Sequence, residues 1–209
     1  MYFIHLINLI MRKIALYAWA FNPPTLAHKK IITWVIDNWL VNEVIFAPTG
    51  PRSDKSYWIE NHFRERILEI FHREIQDEWY PLTFSDYFLK NKNKGNTTTV
   101  WMDKYFSSIQ KDIELYHIFW VDVICQIPYW EKNEDHIVEN KLKKIFIDRK
   151  WYSIPKPFTM SYSTFIDFDI EWISSTLARE MIQTKQDVFW ILTPWVSEFI
   201  EKNWLYIPK

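Results

Sequence analysis

Glycine is nearly missing from this chain, with 2 among 209 residues, where ordinary usage of ~7% predicts roughly 15. An α/β chain without glycine is hard to build, because helix ends and strand-to-loop turns need positive φ. Cysteine is almost absent too. The single Cys125 excludes an internal disulfide and a cysteine-based zinc cluster, and points to a reducing cytoplasm. Neither charge sign dominates: 25 Lys and Arg stand against 26 Asp and Glu, dispersed along the chain. That balance argues against nucleic acid and membrane surfaces as partners. The apolar stretch from Met1 to Met11 contains His5 and Asn8 and is too short to span a bilayer. It also lacks a basic leading region and a small-residue cleavage site. Because Met11 directly precedes Arg12-Lys13 and the first strand, Met1 to Ile10 reads as an upstream extension, and 11–209 as one domain.

What is present in excess is tryptophan, 13 residues. Asp37-Asn38-Trp39-Leu40 and Asn203-Trp204-Leu205-Tyr206 each close a helical period where a glycine would be routine. Trp120, in Ile118-Phe119-Trp120-Val121-Asp122, and Trp151, after Asp148-Arg149-Lys150, follow strands. The expectation is that most tryptophans stand for glycine, as would follow if UGA is glycine in the source and was translated as tryptophan. The alternative is a protein whose surface is rich in tryptophan.

Apolar runs bounded by turn residues predict strands at 13–18, 43–47, 80–85, 113–119, 144–148 and 164–168. Spacings of three and four predict helices over Leu26–Asn38, His62–Ile75, Thr99–Ile109, Asn133–Leu142, Ser175–Ile182 and Pro194–Asn203. Strands alternating with helices imply a Rossmann-like, doubly wound parallel sheet of five to six strands, with helices on both faces and at the C-terminal end. Such sheets bind ligands at the carboxyl ends of their strands. The long polar loops at Gly50–Tyr57 and Asn91–Thr99 follow strands and belong on that side or near it.

The densest chemistry lies at Ala20-Phe21-Asn22-Pro23-Pro24-Thr25-Leu26-Ala27-His28, directly after the first strand. Thr25 and His28, three apart at a helix start, can face one anion held by the helix N-terminus. Alone, the pair reads more simply as a capping threonine beside an incidental histidine; preceded by Phe-Asn-Pro-Pro and a strand, the balance reverses. Trp19 turns the strand into this loop, where a backbone approaching phosphates wants no Cβ. A second anion site is written in Ile173-Ser174-Ser175-Thr176-Leu177-Ala178-Arg179, where hydroxyls cap a helix and Arg179 follows one turn along.

Together these segments resemble the nucleotidylyltransferase superfamily, whose first loop reads G-G-x-F-[DN]-P-x-[HT]-x-G-H and whose second signature reads I-S-S-T-x-[IV]-R. Within it the chain is most similar to the bacterial nicotinate mononucleotide adenylyltransferases, from Lys13 to Tyr206. Trp19 falls on the second glycine of the loop, and Ala18 and Ala27 replace two others. The resemblance implies adenylyl transfer from ATP, with Mg²⁺ on the ATP phosphates, to nicotinate mononucleotide. His28, Thr25 and Arg179 would be catalytic, and Trp19, Ala20, Phe21, Lys55, Asp122, Ser174, Ser175 and Thr176 would bind ATP. Asp122 matches the acid of a G-x-D segment that binds adenosine. Trp130, in Pro128-Tyr129-Trp130, matches an indole that stacks on the pyridine ring, and is the tryptophan expected to be genuine. Thr99 and Arg149 would complete the mononucleotide site, while Arg64 matches an arginine heading a helix. A homo-oligomer is compatible with all of this. Two other readings are transfer to another small phosphate ester, such as pantetheine phosphate, and an inactive aromatic-rich scaffold on the same fold.

Overall fold

The computed structural model describes residues 11–50, 59–90, 113–121, 143–148, 163–166 and 172–207. Six strands form one sheet: β1 (Arg12–Trp19), β2 (Glu43–Pro48), β3 (Leu82–Phe84), β4 (Ile113–Trp120), β5 (Lys143–Ile147) and β6 (Ser163–Ile166). Their order is β3-β2-β1-β4-β5-β6 and every pairing is parallel. The order reverses between β1 and β4, so the crevice at their carboxyl ends is the topological switch point of a Rossmann-like sheet.

β1 reads as a continuous apolar run because both of its faces are buried. Ala15 and Tyr17 point into the larger core with Val44, Phe46, Ile118 and Ile145. Ile14, Leu16 and Ala18 join Ile45 and Ala47 in a second apolar cluster. The large core is closed by α1 (Leu26–Asp37), α2 (Asn61–Asp77), α4 (Ser175–Gln183) and α5 (Pro194–Lys202). Burial of Ile31, Phe71, Met181 and Ile200 from these helices stabilises the fold by about 1.5–3 kcal/mol for each large side chain. A single turn, α3 (Tyr87–Lys90), is too short for a periodic signal. The helices expected over Thr99–Ile109 and Asn133–Leu142 lie outside the described residues.

The helix ends bear directly on the tryptophans. At the end of α1, Trp39 N–H donates to the Ile36 carbonyl and Leu40 N–H to that of Val35, a Schellman closure whose pivot, Trp39, has φ 58°. The end of α5 repeats it, with Trp204 at φ 54° and Leu205 N–H on the Ile200 carbonyl. At the end of α2, Trp79 takes the same place at φ 67°, a position the sequence patterns had not singled out. These three indoles are 82%, 77% and 93% exposed, respectively, so they bury almost nothing in exchange for a backbone that favours glycine. Trp19 and Trp120 differ, because both end strands and neither has a positive φ. Trp151 lies outside the described residues.

Candidate active site

The loop between β1 and α1 sits at the switch point, and its shape follows from what holds each peptide. Trp19 carbonyl accepts from Thr49 N–H at 2.8 Å, which ties the ends of β1 and β2 together. Arg64, on α2 and 2% exposed, places one guanidinium nitrogen on the carbonyls of both Ala20 and Thr49. Phe21 has φ 45°, an uncommon conformation for a bulky residue. Its ring is completely buried, edge-on to His28 at 5.0 Å and to Tyr17 at 5.1 Å. Phe21 therefore packs beneath the loop, and only its backbone is placed to meet a ligand.

Asn22, Thr25 and His28 are all buried. Thr25 N–H donates to His28 Nδ1 at 2.9 Å, and the Thr25 hydroxyl lies at 2.9 Å from the same nitrogen. A backbone N–H can only donate, so Nδ1 accepts and carries no proton. A neutral His28 is then the Nε2–H tautomer, a donor on its far side. The Thr25 hydroxyl thus lies against the imidazole at the start of α1, and Thr25 orients His28.

The second signature arrives at the same loop. Ser174 caps α4, its hydroxyl accepting from Leu177 N–H at 3.0 Å. Ser175 instead donates to the Pro23 carbonyl at 2.7 Å. Arg179 donates to the Asn22 carbonyl at 2.6 Å and to Thr176 Oγ1 at 3.1 Å. Burial pulls the Arg179 pKa below the ordinary guanidinium value, opposed by Tyr206 and Glu180. It remains a cation in any working range. Leu26 N–H, the first of α1, donates to the Ile191 carbonyl at 2.9 Å.

The structure therefore brings Trp19, Ala20, Phe21, Thr25, His28, Ser174, Ser175, Thr176 and Arg179 to one place. Lys55, Thr99, Asp122, Trp130 and Arg149 lie outside the described residues. By sequence, Arg64 only matches an arginine heading a helix. The deciding signal was its spacing of three and four from Ile67 and Leu68, which puts a cation on the buried stripe of α2. Tyr206 and Asn22 carry no signal in the sequence beyond their place in the chain.

The site is rich in donors and cations. Among the described residues no group of three His, Cys, Asp or Glu could hold a metal ion. No helix among them is long and apolar enough to cross a membrane. A surface groove of about 470 Å³ between α2 and α5, lined by Arg66, His72, Arg73, Trp195 and Lys202 among others, contains none of the signature residues.

No family model matches the chain. A protein of Caldicellulosiruptor bescii named a probable nicotinate-nucleotide adenylyltransferase is 28% identical over 200 residues, spanning 93% of this chain and 98% of that protein. The nicotinate-nucleotide adenylyltransferase of Bacillus subtilis is 22% identical, spanning 94% and 99%. Among solved structures, the nicotinic acid mononucleotide adenylyltransferase of Plasmodium falciparum complexed with NaAD superimposes with a TM-score of 0.74 at 24% identity, covering 93% of this chain and 97% of that one. That likeness carries the fold.

Proposed function

We infer that this chain is a nicotinate-nucleotide adenylyltransferase of the nucleotidylyltransferase superfamily, transferring the adenylyl group of ATP to nicotinate mononucleotide in NAD synthesis. The products are nicotinate adenine dinucleotide and pyrophosphate. One observation carries the reading: two signatures more than 150 positions apart are hydrogen-bonded to each other at the switch point, through Ser175 to Pro23 and Arg179 to Asn22. The chain-long similarity to proteins of that name supports it.

An ionised phosphate oxygen of the mononucleotide attacks the α-phosphorus of ATP. A new P–O bond forms, the bond from the α-phosphorus to the bridging oxygen breaks, and pyrophosphate leaves with that electron pair. No protein nucleophile and no proton transfer to the attacking group are required. The protein's work is to hold two anions in line and to stabilise charge moving onto pyrophosphate. His28 does so as an Nε2–H donor, Arg179 as a cation, and the N-termini of α1 and α4 through their dipoles. Mg²⁺ would supply further neutralisation. Among the described residues no group of three His, Cys, Asp or Glu could hold the ion, so phosphate oxygens and water would do so. By resemblance, Lys55 serves the phosphates, Asp122 the adenosine, and Trp130, Thr99 and Arg149 the mononucleotide.

The functional polypeptide, on this reading, carries glycine at several written tryptophans and works in the cytoplasm. The left-handed, exposed positions of Trp39, Trp79 and Trp204 support the first part. At Trp19, partly buried against the core, the support is the resemblance, which has a glycine at that position of the loop. Codons of UGG at these positions, or tryptophan in the peptides of the native protein by mass spectrometry, would reject it.

The activity test uses the chain as written and a Trp19→Gly variant, each with ATP, Mg²⁺ and either nicotinate or nicotinamide mononucleotide. Dinucleotide and pyrophosphate in equal amounts are expected. Folded protein that makes neither dinucleotide in either form overturns the assignment.

A further inference from the structure

Beyond α5 the chain turns back into the protein, and Leu205 and Tyr206 are both buried. Tyr206 has φ 63°, a conformation that costs a residue with a Cβ about 1–2 kcal/mol. It persists only where the surroundings over-determine it. Here the surroundings are the phosphate loop. The Tyr206 hydroxyl donates to Asn22 Oδ1 at 2.6 Å, across 184 positions of sequence. Burial pushes the ionisation of this phenol far above its ordinary value, against the opposing charges of Arg64 and Arg179, so the hydroxyl stays a donor.

Asn22 is thus gripped at both polar ends, its side-chain oxygen by Tyr206 and its carbonyl by Arg179. The flanking carbonyls of Ala20 and Pro23 are taken by Arg64 and Ser175. Three of these four braces lie in or beside recognised motifs. The fourth, Tyr206, belongs to none of the chemistry assigned above.

We propose that Tyr206 is a positioning residue for adenylyl transfer, fixing through Asn22 the loop whose Thr25 peptide aims His28. Its kinetic consequence rests on the adenylyl-transfer reading, and its structural consequence does not. A triphosphate in the ground state can follow a loop that shifts slightly, but an in-line transition state cannot. A misplacement of about 1 Å costs up to about 100-fold in rate. The loss belongs in kcat rather than in KM.

The test is Tyr206→Phe, which removes one hydroxyl and keeps the ring. Hydrogen exchange at the amides of Ala20, Phe21, Asn22 and Thr25 is expected to quicken about tenfold, with the amides of α2 unchanged. Unchanged exchange in the loop overturns the proposal whether or not dinucleotide forms. In the active chain, kcat should fall about tenfold while KM for ATP stays within twofold. In an Asn22→Ala background the same substitution should cost nothing further. Additive losses, or a lower melting temperature with kcat intact, show a merely structural hydroxyl and overturn it. Should Tyr206→Phe not fold, Asn22→Ala breaks the same bond from the other side. A parent chain that makes no dinucleotide, yet whose loop loosens on substitution, rejects the assigned reaction and sustains the brace.

Discussion

The backbone N–H of Thr25 points at Nδ1 of His28, 2.9 Å away, so a main-chain donor selects the tautomer of a buried imidazole. His28→Ala removes the Nε2–H donor while leaving the helix. Turnover should drop about 100-fold, the scale of one lost transition-state donor, with KM for ATP changed by less than about threefold. Steady-state kinetics check it, and unchanged kcat removes His28 from the mechanism.

Arg64 makes its contribution from behind the loop. Its buried guanidinium serves two carbonyls, so Arg64→Met should destabilise the fold by about 3–5 kcal/mol, leaving buried acceptors unpaired. A urea midpoint equal to that of the parent chain would show that Arg64 carries no structural load.

Glu74 supplies a pH dependence of stability. Its carboxylate, from α2, accepts from the Thr193 hydroxyl and from Trp195 N–H, at the N-terminus of α5. Burial raises its pKa above 4.5, and those two hydrogen bonds and Lys29 oppose the rise. The raised value means the folded state binds a proton that the unfolded state has already lost. Stability from this group is therefore fully present below about pH 4.5 and declines as pH climbs through the folded-state value. Urea melts between pH 4 and pH 7 should show Glu74→Gln gaining on the parent chain as pH rises. A constant difference across that range refutes the linkage.

Replacing an exposed left-handed tryptophan by glycine should stabilise the protein. Trp39→Gly, Trp79→Gly and Trp204→Gly each relieve a backbone cost of about 1–2 kcal/mol, partly offset by the greater freedom of glycine in the unfolded chain. A net gain of about 0.5–1 kcal/mol per site is expected in thermal melts. Trp34→Gly is the control, since Trp34 lies inside α1 and packs on the core, and it should lose stability. Losses at all four positions would argue for literal tryptophans.

Much of this molecule is legible in its sequence, because two-sided burial writes β1, β2 and β5 as apolar runs and one-sided burial writes α1 and α2 as stripes. Edges are less legible. β3 spans only Leu82–Phe84 rather than 80–85, since pairing with β2 alone limits the ladder to three residues. The loop and the Ser174–Arg179 segment are visible as motifs, but their mutual hydrogen bonds are not, because periodicity carries no information about contacts 150 positions apart. The burial of Arg64 and Glu74 is hidden for another reason: a charged residue on an apolar stripe looks like a break in pattern until its partners are known.

The Tyr206–Asn22 bond also sets a timetable. Residues 20–28 leave the ribosome well before three of their anchors, Ser175, Arg179 and Tyr206, which are made more than 140 residues later. A growing chain therefore carries an unbraced loop over that whole interval, and gains a formed nucleotide site only once Tyr206 has emerged.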